Sequence, residues 1–169
     1  MHFYDLLTEN LKNLNKLKTK IKLKKIFFAI IMLLVSIVTF AQQPADKIIG
    51  TWQSVDGDVG LKFEIFKKDG KYFGKLLWAS TIFEADGKTY KNDFKNPNKS
   101  LQTRSRYGIV NITNLKFEDD EYTGGNLYSP DNGSDYSLKA KLKNANELNF
   151  RGYMGVSLLG ITMKFKRVN

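Results

Sequence analysis

Ile48-Ile49-Gly50-Thr51-Trp52-Gln53-Ser54-Val55 is the stretch that decides the fold, because it predicts the first strand of an antiparallel β-barrel on which the later strands close. Its branched and aromatic residues favour a strand, and Gly50 allows another backbone or ring to approach closely. Trp52 lies two residues further on, so it faces the same side and is large enough to plug one end of a barrel. The alternative is that Trp52 is an ordinary core residue.

Further strand-like segments follow, rich in aromatic and branched residues and separated by Gly, Asp and Asn. The alternation of apolar and charged residues is clearest from Tyr136 to Lys143, which indicates one buried face. Hardly any helix is expected after residue 41. The chain is therefore predicted to be all-β, an up-and-down barrel of about eight antiparallel strands or a strongly curled sandwich. The predicted strands span residues 48–55, 61–66, 71–78, 107–117, 121–128, 136–143, 147–153 and 161–168.

Closure of such a barrel pairs the first strand with the last. Trp52 is then expected beside Arg167, and a guanidinium over an indole face contributes about 0.5–2 kcal/mol. Residues 79–106 interrupt the strand pattern and are too long for a hairpin turn, so they are predicted to form a long loop over the barrel mouth. Within this loop, residues 85–88 predict a small hairpin, and Asn98 predicts the cap of one helical turn.

The first 41 residues are interpreted as a secretory signal peptide. A Lys-rich region precedes the apolar run Ile26–Phe40, which is short for a bilayer span of about 20 residues. A small-x-small pattern ending at Ala41 predicts cleavage there, export to the periplasm or the medium, and no membrane span in the cleaved chain. An uncleaved anchor and a translation start downstream of Met1 are open alternatives. Residues 42–47 are predicted to be a short polar tail, and 48–169 a single barrel domain.

The composition excludes several kinds of chemistry. The chain has no cysteine, and its one histidine, His2, lies in the predicted leader. The remainder therefore cannot use Ser-His-Asp or Cys-His catalysis, and it lacks the ligands of nearly all zinc sites. Outside the leader, 20 Lys and Arg face 15 Asp and Glu, an excess that solubility alone explains, so no nucleic-acid partner is predicted. No cofactor is predicted.

Three arginines are candidates for a ligand site. Arg104 and Arg106 share a face if their segment is extended, and with Arg151 and Tyr153 they are hypothesised to converge on an anionic or sugar-like ligand. The alternative is that each arginine holds a loop carbonyl or pairs with an acidic residue, Asp93 or Asp131.

Aromatic residues are candidates to line a cavity for a small amphipathic ligand, and plain core packing is the alternative. They are Trp78, Tyr72, Tyr128, Tyr136 and Tyr153. The carboxylate pairs Asp56/Asp58 and Asp131/Asp135 lie in turns, which favours turn formation or loosely bound calcium over glycoside hydrolysis. Gly124-Gly125 lacks the Lys-Ser/Thr and the helix of a phosphate loop, and a bulge is expected there.

Three segments carry a combined resemblance: Asn96-Pro97-Asn98 with Arg104–Gly108, then Gly124–Tyr136, then Arg151–Gly160. Together they resemble a known family of bacterial exported proteins, DUF2147. The resemblance runs from about Ile49 to Val168, and it implies a lipocalin-like barrel with no established activity. One departure is Phe165-Lys166-Arg167, where the family tends to place an aromatic residue before its terminal Arg.

The leading hypothesis is a non-enzymatic, exported binder of a small anionic or amphipathic molecule. The alternative is an envelope protein that docks on a protein partner and has a filled barrel. The third hypothesis is a hydrolase that uses carboxylates and tyrosines. Binding requires a cavity of about 300 Å³ or more, whereas docking predicts a filled interior and an exposed apolar patch.

Overall fold

The computed structural model describes residues 16–18, 20–22, 24 and 44–168. The chain divides into two units, Met1–Ala41 and Gln42–Asn169. In the first unit the described residues are helical. The predicted apolar run of the leader and its cleavage site lie outside the described residues. Within the described part of the chain, no helix is long and apolar enough to cross a bilayer.

Eight antiparallel strands form a closed barrel, each hydrogen-bonded to the next in chain order and the last to the first. This confirms the predicted up-and-down barrel and excludes the sandwich, because closure leaves no free sheet edge among these strands. The strands are β1 Gly50–Ser54, β2 Leu61–Lys68, β3 Lys71–Ala79, β4 Val110–Glu118, β5 Glu121–Ser129, β6 Ser134–Asn144, β7 Glu147–Tyr153 and β8 Ile161–Val168.

The segment before β1 differs from the predicted polar tail. Pro44–Ile48 form a 3₁₀ helix, and β1 begins at Gly50 rather than at Ile48. The physical reason is burial: the Ile48 side chain is fully buried, and Trp52 Nε1 donates a hydrogen bond of 2.7 Å to the Ile48 carbonyl. These residues therefore close one end of the barrel, which we call the closed end.

Two buried tyrosines hold this helix in place. Tyr122 Oη donates to the Ala45 carbonyl at 2.8 Å, and Tyr72 Oη donates to Asp46 Oδ1 at 2.6 Å. The two phenol rings meet edge to face, with centroids 5.4 Å apart. Hydrogen bonds from Lys67 and Tyr72 lower the pKa of the Asp46 carboxyl. The closed end is thus sealed by aromatic packing together with directed hydrogen bonds.

Arg167 joins the last strand to the closed end. Its guanidinium lies 4.2 Å from the Trp52 ring centroid, which confirms the predicted contact. It donates to the backbone carbonyls of Ala145, Ile49 and Lys47. A Cβ at Gly50 would collide with the guanidinium, so the group that approaches this glycine is Arg167 and not the backbone or ring that the sequence predicted.

The other end of the barrel, which we call the mouth, carries the connections that follow β1, β3, β5 and β7. The longest of them joins β3 to β4. It contains the expected small hairpin, with Phe83 bridged to Tyr90, and the expected capped turn, in which Asn98 Oδ1 accepts from Ser100 N at 3.0 Å. Both local predictions are confirmed, as is the register shift in β5 between Tyr122 and Gly125.

Candidate functional site

Two neighbouring cavities lie inside the barrel, with volumes of about 270 and 160 Å³. We call them the larger lobe and the smaller lobe. The walls that the two lobes share are Leu61, Phe63, Leu127 and Ser129, so the lobes adjoin.

The larger lobe is apolar apart from a hydroxyl on Ser129 and another on Tyr136. It reaches the mouth, because Ile161 at the start of β8 both lines it and is 76% exposed. The remaining wall residues are Ile112, Leu138, Phe150, Gly152, Met163 and Phe165. Such a surface suits an apolar chain or ring.

The smaller lobe carries polar groups beneath the long β3–β4 connection. Arg106, only 7% exposed, donates from Nη1 to Asp131 Oδ1 at 2.7 Å and from Nε to the Asn92 carbonyl at 3.2 Å. Thr81 Oγ1 donates to the same carboxylate at 3.0 Å. Asn111 also lines this lobe. An apolar chamber with a few convergent polar groups is the usual composition of a small-molecule site.

A separate polar cluster fastens the β3–β4 connection to β5. The fully buried carboxylate of Asp93 accepts from Arg104 Nε at 3.0 Å and Nη2 at 2.8 Å, from Tyr128 Oη at 2.7 Å and from Asn96 Nδ2 at 2.8 Å. Because these donors satisfy the buried carboxylate from several sides, the cluster fixes the path of the connection.

Two phenols, one buried and one partly buried, make the stability of the fold depend on pH in the alkaline range. Burial raises the pKa of Tyr122 and of Tyr128 to about 12, against an ordinary value of 10.0. The folded state favours the neutral phenol, so this stabilisation is complete below pH 10.0 and is lost as the pH rises towards about 12. We expect the free energy of unfolding, measured by urea titration, to fall over this range and to fall less steeply in Tyr122→Phe. An equal slope in both proteins would contradict the assignment.

The three candidate arginines do not form one shared anion site. Arg104 pairs with Asp93, and Arg106 pairs with Asp131. Arg151 donates to the carbonyls of Ser157 and Leu158 and to Thr162 Oγ1, on a different surface of the barrel from the smaller lobe. The alternative interpretation, in which each arginine holds a loop or an acidic partner, therefore describes the structure. The physical reason is that each guanidinium has an acceptor close to it in the fold.

Among the aromatic candidates, only Tyr136 lines the larger lobe. Trp78 is 37% exposed and lies opposite Lys62 in the register of β2 and β3. The bulge in this strand pair beside Lys62 and Phe63 turns Trp78 to the outer face. Tyr153 follows Gly152, which lines the lobe, so the alternation of the strand directs Tyr153 outward. The expectation that Trp78 and Tyr153 line a cavity is thus corrected. Tyr128 is engaged by Asp93, and Tyr72 seals the closed end.

One member of each carboxylate pair is occupied in structural contacts. Asp56 Oδ1 accepts from the backbone N–H of Lys164 at 2.7 Å, and Asp131 is held by Arg106 and Thr81. Asp58 and Asp135 are exposed. Among the described residues, no group of three or more Asp, Glu, His or Cys side chains is arranged to hold a metal ion.

Sequence reasoning named Arg106 and Asp131 but missed two other polar side chains of the smaller lobe, Thr81 and Asn111. Thr81 comes from the long connection and Asn111 from a strand, and neither belongs to a recognisable motif. The apolar walls did carry a signal, because Leu138 and Met163 occupy inward positions of alternating strands. Alternation predicts that such residues face inward, but it does not predict that a space remains between them.

An exposed apolar tip stands beside the mouth, in the connection from β7 to β8. Leu158 is 91% exposed, and its neighbours Met154, Val156, Leu159 and Ile161 are exposed as well. Arg151 holds this tip in shape through the carbonyls of Ser157 and Leu158.

A closed eight-stranded antiparallel barrel with an internal cavity open at one end defines a lipocalin-like protein, a class whose interior can hold one small ligand. The chain belongs to the family described as "Uncharacterized protein conserved in bacteria (DUF2147)", whose model matches residues 50–167. The resemblance noted in the sequence is thereby confirmed.

A solved structure supports the same class. It is described as "Protein HP1028 from the human pathogen Helicobacter pylori belongs to the lipocalin family". It is 25% identical to this chain with a TM-score of 0.62, and the match covers 72% of this chain and 83% of that one. No curated protein matches the chain at a significant level.

Proposed function

We propose that this protein is a non-enzymatic binder of one small, largely apolar molecule held in the two lobes of its barrel. The observation that carries this proposal is the pair of adjoining lobes, which share Leu61, Phe63, Leu127 and Ser129 as walls and which we call the chamber. Ligand pockets usually begin at about 300 Å³. Neither lobe reaches that volume alone, but two adjoining lobes of about 270 and 160 Å³ exceed it together.

The polar groups of the chamber support a binding role over a catalytic one. Asp131 is committed to Arg106, and Asp93 is committed to its own four hydrogen bonds outside the chamber. The wall residues can therefore orient a ligand and match its shape, but they provide no free pair of carboxylates for acid–base chemistry. Docking on an envelope partner with a filled barrel is supported less well, because the interior contains space, although the apolar tip provides a surface for contact.

We further propose that the barrel works outside the cytoplasm, after cleavage at Ala41. The Lys-rich start of the chain, the apolar run and the small-x-small site support this. Mass spectrometry of the protein recovered from its exporting host tests the proposal. A mature chain that starts at Gln42 is expected, and a mass that includes residues 1–41 would contradict cleavage.

Filling the chamber is expected to abolish binding. Leu127 lines both lobes, so the larger indole in Leu127→Trp occupies the ligand's volume. We expect the affinity for the apolar fluorescent probe N-phenylnaphthylamine to fall by at least about tenfold, which corresponds to 1.4 kcal/mol of binding free energy.

The matched control uses the neighbouring residue of the same strand. Asn126 is exposed on the outer face of β5, so Asn126→Trp adds the same indole outside the chamber and is expected to leave the affinity unchanged. Equal affinities for both variants, with folding verified by circular dichroism, would show that the probe does not enter the barrel and would overturn the proposed function.

A further inference from the structure

We propose that the ligand has a neutral polar head that carries both a hydrogen-bond donor and an acceptor, as an alcohol or a primary carboxamide does, and that this head binds between Asn111 and Arg106. This inference rests on the proposed function and specifies the chemistry of the molecule that occupies the chamber. It also replaces the anionic ligand considered from the sequence with a neutral one.

The first observation is an unsatisfied acceptor on Asn111, a residue that lines the smaller lobe. Asn111 is only 4% exposed, and its Nδ2 donates to the Tyr128 carbonyl at 3.0 Å. That bond fixes the orientation of the amide, because only the NH₂ group can donate to a carbonyl. Asn111 Oδ1 is buried and has no donor among the described residues. Buried acceptors are nearly always paired, so the lobe favours a molecule that brings a donor.

The second observation is a set of unused donors in the same wall. Of the five N–H bonds of the Arg106 guanidinium, two have acceptors among the described residues, namely Asp131 and the Asn92 carbonyl. The remaining N–H groups can donate to an acceptor on the ligand. An unused donor and an unused acceptor on one lobe match a head group that contains both.

The charge of the smaller lobe favours a neutral head group over an anionic one. Asp131 already neutralises Arg106 at 2.7 Å, so the pair presents hydrogen-bond donors without a net positive charge. A carboxylate head would lie close to the negative charge of Asp131 and would have no donor to offer Asn111 Oδ1. The carboxylate would therefore lose its hydration on entering the lobe without gaining equivalent hydrogen bonds or ion pairs there. The larger lobe, being apolar, suits the hydrocarbon part of the same molecule.

The experiment displaces N-phenylnaphthylamine with three competitors that share a ten-carbon chain, which are decanol, decyl methyl ether and decanoate. Decanol carries a donor and an acceptor, the ether only an acceptor, and decanoate a negative charge. At neutral pH we expect decanol to bind about tenfold more tightly than either of the others, the factor expected when one hydrogen bond to a buried acceptor is lost. In Asn111→Leu the preference for decanol over the ether is expected to disappear, and in the outer-face control Asn126→Leu it is expected to remain.

The outcomes separate this inference from the proposed function. If decanoate binds as tightly as decanol, or if Asn111→Leu retains the preference, the neutral head is wrong while binding in the barrel stands. If neither the probe nor any competitor binds, both proposals fail. The ranking of the three competitors on the unmodified protein decides the question even if Asn111→Leu does not fold.

Discussion

Arg167→Ala is expected to lower the free energy of unfolding by about 3–4 kcal/mol. The substitution removes a cation–π contact with Trp52, of a kind that contributes about 0.5–2 kcal/mol, and hydrogen bonds from a charged donor, which contribute about 1.5–3 kcal/mol each. The sum of these terms is larger than the expected loss, because the position is half-exposed and water can replace part of the hydrogen bonding. Urea denaturation followed by tryptophan fluorescence measures the effect.

Two further variants test whether the loss of stability comes from the guanidinium group, from the positive charge alone, or from any substitution in this strand. Arg167→Lys keeps the charge but loses the planar fork that reaches several carbonyls at once, so we expect a smaller loss than in the alanine variant. Lys166→Ala alters the adjacent exposed residue of β8 and is expected to change stability by no more than about 0.5 kcal/mol. A loss below about 1 kcal/mol in Arg167→Ala would show that closure of the barrel does not depend on this contact.

Asp93→Ala is expected to cost about 3–5 kcal/mol, the usual cost of removing one partner from a buried ion pair. The substitution leaves the Arg104 guanidinium and the Tyr128 hydroxyl without their buried acceptor. The β3–β4 connection should then detach from β5. We expect a lower midpoint in urea denaturation and faster proteolysis within residues 80–109 of the folded protein.

The matched control for this variant is Asp58→Ala, because Asp58 is an exposed aspartate in a turn and makes no hydrogen bond with the other described residues. It is expected to leave both measurements unchanged. Wild-type denaturation together with wild-type protease resistance in Asp93→Ala would contradict the role of this cluster in fixing the connection.

Local sequence rules accounted for the strands and most of their connections. Alternation in the segment from Tyr136 to Lys143 placed β6, and the Gly124-Gly125 pair correctly indicated the irregularity in β5. The contact between Trp52 and Arg167 followed from a single topological argument, namely that the first and last strands of a closed barrel must pair. These features depend on a short-range sequence pattern or on barrel closure alone, so they can be predicted from the sequence.

The same rules failed in β3, where one extra residue shifts the register of its pairing with β2. Alternation along β3 places Trp78 on the inner face with Tyr72 and Leu76, but the bulge opposite Lys62 and Phe63 reverses the facing of the residues beyond it. A one-residue slip moves every later side chain to the opposite face. Nothing in the local sequence marks that bulge, so the inward facing expected of Trp78 was wrong.

The sequence by itself determined the class of the protein and its chemical limits: an antiparallel barrel, with no cysteine and no histidine after residue 41. Only the tertiary structure decided which side chains face the chamber and what remains unpaired there. The sequence left Asp93 and Asp131 open as acidic partners of Arg106, and the folded path of residues 80–109 brought it to Asp131. Asn111 became a candidate ligand contact because packing left its Oδ1 buried without a donor. Strand periodicity is a short-range property of the chain, whereas the pairing of polar groups depends on which distant segments meet.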